Sequence, residues 1–228
     1  MISEEKQADA VRRKEGINME NLLIEKMVLG QVSTNCYLAV NKKTKEAIVI
    51  DPADEARRID KKIKELGLKP AAILLTHGHF DHIKAAAEIS DLYEILIYAH
   101  EKEEEVMDDS LLNLSANFGE PFTAVADMLH TDGQELFLAG MNIQVLHTPG
   151  HTQGSVCYYF PDEQVLFSGD TLFYGSIGRT DFPTGSMSEL VHSAKEKLLI
   201  LPEEVKVYPG HGEETTIRYE KKYNPFLS

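Results

Sequence analysis

Ile73-Leu74-Leu75-Thr76-His77-Gly78-His79-Phe80-Asp81-His82 decides how this chain is read. An apolar run ends at Leu75, and four potential metal ligands follow within six positions. His77 and His79 stand two apart, so an extended backbone sends both imidazoles to the same side. Gly78 between them permits a bend or a close approach that a larger residue would resist. Asp81 and His82 are adjacent, and they face one centre more easily from a tight turn or the first turn of a helix. Imidazole and carboxylate together suit Zn, Fe or Mn better than a thiolate-loving metal. The competing reading, a polar loop of exposed histidines, leaves unexplained why ligand-type residues crowd directly behind a buried strand.

Three later stretches repeat the arrangement of an apolar strand, a turn and a ligand. Val145-Leu146-His147-Thr148-Pro149-Gly150-His151 turns at Pro-Gly and presents His151, while His147 falls in the strand end and reads as a hydrogen-bonding residue. Val165-Leu166-Phe167-Ser168-Gly169-Asp170 projects Asp170 after a glycine turn, and Val205-Lys206-Val207-Tyr208-Pro209-Gly210-His211 repeats the Pro-Gly-His punctuation. Five histidines and two aspartates exceed one site of about four to six ligands, so two metals are expected. Two divalent cations about 3.5–4 Å apart would hold a bridging hydroxide able to attack an acyl carbon, with no Ser, Cys or Lys nucleophile required. His100, His130 and His192 lack companions and read as structural. Asp51, ending a strand, reads equally as a turn residue or as an orienter of a ligand histidine.

The bulk properties narrow the function classes. The 228 residues, 43% hydrophobic and 26% charged, fit a soluble globular protein. A net charge of −14 argues against non-specific nucleic-acid binding. No apolar run approaches the roughly 20 residues of a membrane span. Residues 1–16 lack the apolar core of a secretory signal. With only Cys36 and Cys157, a reducing, cytoplasmic setting with two buried thiols is expected.

Residues 1–18 read as a charged mobile arm, or as an extension ahead of a natural start at Met19, with one domain over 19–228. Strands are expected at 22–29, 35–40, 47–50, 71–75, 95–98, 135–138, 143–147, 155–160, 165–168 and 205–208. Helices are expected from an Asp54 cap to Leu66, at 82–89, 100–107, 187–199 and 215–223, with Gly67 closing the first. Residues 108–122 read as a lid or a plain loop, and 169–185 as a long loop. Two face-to-face sheets with helices outside would bury this much apolar strand, which gives an α+β fold.

Taken together, Thr76-His77-Gly78-His79-Phe80-Asp81-His82 followed in order by His151, Asp170 and His211 resembles the metallo-β-lactamase superfamily. The resemblance covers nearly everything from residue 22 onward. It implies an αββα four-layer sandwich with the site at one rim. It further implies that His77, His79 and His151 hold one metal, and Asp81, His82 and His211 a second, with Asp170 bridging. Asp81 and Asp170 are then the catalytic carboxylates, and the two divalent ions are zinc, with Fe or Mn as alternatives. Within the superfamily, Ser168-Gly169-Asp170-Thr171-Leu172-Phe173, Gly178-Arg179-Thr180-Asp181-Phe182 and Tyr208-Pro209-Gly210-His211-Gly212 look most like the small glyoxalase II group. That implies hydrolysis of a small-molecule thioester such as S-lactoylglutathione, with Arg179 near the glutathione moiety. Two departures bear on the thiol. The helical C-terminal domain of the larger enzymes has no counterpart, and Glu213 stands where they place an aromatic glutathione contact. The alternatives are a persulfide dioxygenase with one iron on His77, His151 and Asp170, another hydrolase such as a lactonase or phosphoesterase, or a non-enzymatic metal-binding domain.

Overall fold

Apolar residues alternating with period two build two six-stranded sheets that share one interior. The computed structural model describes residues 21–118 and 120–227, so the arm at 1–18 and the start at Met19 lie outside the described residues. The first sheet begins as an antiparallel meander of β1 (Leu22–Leu29), β2 (Thr34–Asn41) and β3 (Glu46–Ile50). Helix α1 (Ala56–Leu66) crosses over to β4 (Lys69–Leu74), which lies parallel to β3. Helices α2 (Phe80–Ile83) and α3 (Ala86–Tyr93) lead to β5 (Ile97–His100), and α4 (Glu104–Asp108) precedes the edge strand β6 (Met128–His130).

The second sheet has the order β14-β13-β10-β9-β8-β7. Its strands are β7 (Glu135–Leu138), β8 (Met141–His147), β9 (Val156–Phe160) and β10 (Val165–Gly169), all antiparallel neighbours. A two-stranded hairpin, β11 (Leu172–Phe173) and β12 (Ser176–Ile177), follows. Helix α5 (Met187–Ser193) then crosses over to β13 (Lys206–Pro209), parallel to β10, and β14 (Thr215–Thr216) runs into α6 (Ile217–Tyr223).

Side-chain alternation sorts the core into three slabs. Cys36, Leu38 and Val40 of β2 pack with Ile59 and Ile63 of α1 and Ala86 and Ile89 of α3. The intervening Tyr37 and Ala39 face the other sheet, against Val145, Tyr158, Phe160 and Phe167. On the outer face of the second sheet, Cys157 and Leu166 meet Leu190 of α5 and Ile217 of α6. Helix, sheet, sheet and helix therefore stack as the expected αββα sandwich of the α+β class. Cys36 and Cys157 are both buried and free. Among the described residues, no helix is long and apolar enough to cross a membrane.

Several local expectations need correction. Helix α1 is not capped by Asp54. Glu55, in the left-handed region (φ 53), precedes the helix, and Asp54 Oδ1 accepts only from the Glu55 amide. Gly67 does close the helix, donating to the Ile63 and Lys64 carbonyls. The helix expected over 82–89 is two pieces, because the Ala85 amide is drawn to the Pro52 carbonyl at 2.9 Å. His100 ends a strand rather than opening a helix, and its Nδ1 accepts from the Lys102 amide at the head of a 3-10 turn (Glu101–Glu103). His130 ends β6, a three-residue strand too short to show a period. The helix expected over 187–199 widens into one π turn over Ala194–Leu198. The 169–185 loop contains the β11–β12 hairpin.

Candidate metal centre

The seven histidines and aspartates singled out above meet at the rim where β4, β8, β10 and β13 end. After β4 the chain bends at Thr76 and is extended at His79 (φ −68, ψ 146), the His77 and His79 rings lie with centroids 4.8 Å apart, and α2 then places Asp81 and His82 on its first turn. His151 follows Gly150 at φ 132, where a Cβ would strike the Leu190 backbone. At Gly210 a Cβ would land on Asp170 Oδ1 and His82 Cε1, so a glycine is what lets the 209–211 turn close over the site. That turn is pinned from the first sheet, since Asn35 Nδ2 and the Tyr37 hydroxyl both donate to the Pro209 carbonyl, at 2.9 and 2.7 Å.

Ligand atoms gather in three overlapping trios, each within 4.8 Å: His77–His79–His151, Asp81–His82–His211 and the linking His77–His82–Asp170. His82 Nε2 lies 3.4 Å from both Asp81 Oδ2 and Asp170 Oδ1. His211 Nε2 lies 3.3 Å from Asp81 Oδ2 and 3.5 Å from Asp170 Oδ2, and His151 Nε2 is also 3.5 Å from Asp170 Oδ2. Asp170 thus reaches toward both outer trios.

The hydrogen bonds behind these residues test whether a cation fits. The Thr76 hydroxyl donates to Asp51 Oδ2, so its oxygen accepts from His77 Nδ1–H at 3.1 Å, and His77 Nε2 is left bare. His82 Nδ1–H donates to Asp51 Oδ2 at 2.9 Å and His151 Nδ1–H donates to the Arg179 carbonyl at 2.7 Å, which leaves both Nε2 atoms facing the centre. His77 Nε2, His82 Nε2 and Asp170 Oδ1 are buried without a hydrogen-bond partner. Three oriented imidazoles, two of them with bare Nε2 atoms and the third with its Nε2 2.9 Å from His79 Nδ1, set among carboxylates, fit a divalent cation of Zn, Fe or Mn type.

Electrostatics agrees with that donor set at His77, His79, Asp81 and Asp170. Burial, reinforced by neighbouring imidazoles, holds His77 well below the usual histidine range, and burial pushes His79 down to about 3. Both are therefore neutral bases at pH 7. Burial opposes ionisation of Asp81, but His82, His211 and Thr34 outweigh it and hold the carboxyl at about 2. Asp170 is likewise kept ionised against burial by His82 and His211. His82 goes the other way, raised against its burial by Asp81, Asp170 and Asp51.

Asp51 is settled as an orienter, since its carboxylate also takes the Thr76 amide at 2.7 Å. Sequence reasoning missed Glu103. It is 1% exposed and clamps two ligand loops. Its Oε2 accepts from the Gly78 amide at 2.6 Å, and its Oε1 from the Gly154 amide at 2.7 Å and the Thr152 hydroxyl at 2.6 Å. The charged run 101–105 hid it, although Val106 and Met107, three and four residues on, mark Glu103 as lying on the buried face. Thr34, whose hydroxyl donates to Asp81 Oδ2 at 2.5 Å, was also missed.

Arg179 is the one nominated residue whose side chain stays outside the cluster. It is exposed, paired with Asp181 at 2.7 Å and stacked over Phe182 at 4.2 Å. Phe182 in turn stands edge-on to His79, with centroids 5.6 Å apart. His147 and His100 stack at 4.2 Å away from the ligands, and His147 Nε2 bonds the Gln153 carbonyl.

A model of the metallo-beta-lactamase superfamily matches residues 29–211. The hydroxyacylglutathione hydrolase GloC of Haemophilus influenzae is 39% identical over 197 residues, covering 85% of this chain and 92% of that protein. Among solved structures, the BLEG-1 B3 metallo-beta-lactamase is 44% identical with a TM-score of 0.87, covering 90% of this chain and 100% of that one. TTHA1623, solved in a di-iron-bound form, is 36% identical with a TM-score of 0.81, covering 89% of this chain and 100% of that one.

Proposed function

The chain belongs to the metallo-beta-lactamase superfamily of metal-dependent hydrolases, and from that premise we propose that it hydrolyses a small acyl thioester such as S-lactoylglutathione. The supporting observation is the convergence of two ligand trios about Asp170, with the Arg179–Phe182 pair standing at the rim beside His79. His77, His79 and His151 would hold one divalent ion and Asp81, His82 and His211 the other, with Asp170 between. When bound, such ions polarise a carbonyl and lower the pKa of water to near neutrality. The donor chemistry favours zinc, and the di-iron-bound relative favours iron as the second choice.

The chain's own residues prepare that chemistry. Asp51 and the Arg179 carbonyl fix the tautomers of His82 and His151. The Thr34 hydroxyl occupies Asp81 Oδ2, which limits how that carboxylate can turn. Phe182 shields the His79 and His151 side from water. Arg179 supplies an exposed cation for an anionic thiol arm, and no nucleophilic side chain is needed. The substrate is read as a soluble cytoplasmic metabolite rather than a nucleic acid or a membrane lipid.

The test pairs metal content of anaerobically purified protein with three assays: thioester hydrolysis, β-lactam hydrolysis and oxygen uptake on a persulfide. Two zinc ions per chain with thioester hydrolysis is the expected result. One iron with oxygen uptake replaces it with the dioxygenase reading. Turnover of β-lactams alone replaces it with the activity named for the BLEG-1 relative.

A further inference from the structure

A groove of about 380 Å³ adjoins the metal centre and has no task in the reading above. Phe80, Phe118 and Phe122 line it together with Asp54, Asp81, Lys84 and Glu120. We infer that it is the acyl pocket, and that it selects thioesters whose acyl group carries a bulky apolar substituent. This rests on the thioester reading.

Position comes first. Asp81 is both a member of the second trio and part of the groove lining, so a group seated there is directly attached to the reacting region. Arg179 and Phe182, which are not part of that lining, lie beside His79 and His151 of the first trio. A substrate whose carbonyl lay between the two trios would have the groove within reach at Asp81 and the Arg179–Phe182 pair within reach at His79. The volume falls within the range of small-ligand pockets, about 300–1,000 Å³, and leaves ample room beyond a group as small as lactoyl.

Charge bears on which arm goes where. The groove carries the carboxylates of Asp54 and Glu120, and its Lys84 is committed to Asp54 at 3.3 Å. A thiol arm bearing carboxylates, as glutathione does, meets these carboxylates there, and at Arg179 it would take the place of the Asp181 carboxylate on an exposed guanidinium. The acyl arm is left for the aromatic walls, which favour apolar groups and ring stacking.

The walls are also built to stay in place. The Phe80 amide donates to the Asn113 carbonyl at 2.8 Å, tying Asn113 to the metal motif itself. Asn113 Nδ2 and the Ser115 hydroxyl both donate to the Phe122 carbonyl, at 2.8 and 3.1 Å, and both residues are almost fully buried. Phe118 is 46% exposed yet stacks on Phe80 with centroids 4.4 Å apart. Asn113, Ser115 and Phe122 are thus tied to one another and to the metal motif.

The experiment compares kcat/KM for the glutathione thioesters of lactate and mandelate, in which a methyl is replaced by a phenyl. It uses the metal-loaded full chain and its Phe118→Ala and Phe118→Leu variants. The wild type should prefer the mandelate thioester. Phe118→Ala should lower the mandelate-to-lactate ratio by about tenfold, the scale of lost apolar pocket contacts, and Phe118→Leu should keep most of it. Free mandelate should also inhibit the wild type more strongly than free lactate, which reads the same pocket without a substitution. A wild-type preference for lactate, or a ratio unmoved in Phe118→Ala, overturns the acyl pocket while leaving thioester hydrolysis intact. Turnover of neither ester overturns the thioester reading, and the acyl pocket falls with it.

Discussion

Two buried carboxylates stand behind the metal centre, and they support its halves by different routes. Asp51 touches a ligand ring directly, through His82 Nδ1, and reaches His77 through the Thr76 hydroxyl. Glu103 touches no ligand ring at all. It grips the Gly78 and Gly154 amides and the Thr152 hydroxyl, so it sets where the backbone carries His77, His79 and His151. His151 is oriented by a bond to its ring, but from a backbone atom, the carbonyl of Arg179, rather than from a side chain. The Asp81–His82–His211 half is therefore tuned through ligand electronics, and the His77–His79–His151 half through loop placement.

The largest effect is expected at the residue that belongs to neither half alone. Asp170→Ala should remove the metals and nearly all hydrolysis, because its two oxygens lie within 3.5 Å of His82, His151 and His211 nitrogens. Elemental analysis of the purified variant checks this. Retention of both ions would mean that the halves are independent sites and that Asp170 bridges nothing.

A smaller and more selective effect is expected from Asp51→Asn. Removal of a carboxylate partner from a ligand imidazole weakens metal binding about 10–100-fold. The loss should fall mainly on the ion held by His82, so a chelator competition should resolve one weakened and one near-normal ion. Equal weakening of both would show that the Thr76 link to His77 matters as much as the direct bond, and the contrast between the halves would dissolve.

How much of this was legible in the sequence follows the same division. Ligands announce themselves, because His77, His79, Asp81, His82, His151, Asp170 and His211 each follow an apolar strand and a turn. The layered fold was legible for the same reason, since period-two strands such as 36–40 carry their two faces openly. Glu103 was not, because one buried carboxylate inside a run of exposed acidic residues differs from its neighbours only in phase. The short strands β6, β11, β12 and β14 were missed because two or three residues cannot display a period, and their pairing is decided by tertiary context. The break between α2 and α3 likewise depends on a distant carbonyl, that of Pro52.

Glu103→Gln should act on stability more than on ligand electronics. The amide nitrogen would face either the Gly78 or the Gly154 N–H, which loses an acceptor and costs about 1–3 kcal/mol. Urea unfolding of the metal-loaded protein measures it. The loss should also depend on pH. Burial outweighs the three hydrogen bonds and pushes the Glu103 carboxyl from 4.5 up to about 7. A group raised in the folded state stabilises fully below its unfolded value and loses that contribution as pH rises through the folded one. The gap between wild type and Glu103→Gln should therefore be widest below about pH 4.5 and narrow toward pH 7. A gap that widens with pH would mean that the ionised carboxylate is the preferred clamp.

The smallest effect is expected from Arg179→Ala, and it is the sharpest test of placement by backbone. His151 Nδ1 donates to the Arg179 carbonyl, an atom every residue has, while the guanidinium lies in solvent against Asp181 and Phe182. Truncation should leave metal content and kcat close to wild type. It should raise KM for an anionic thioester only about two- to fivefold, the scale of an exposed ion contact. An unchanged KM removes Arg179 from the substrate site but leaves the contrast between the halves standing. Loss of a metal ion would break that contrast, because it would mean that the side chain, through Phe182, holds His151 where its backbone was credited with doing so.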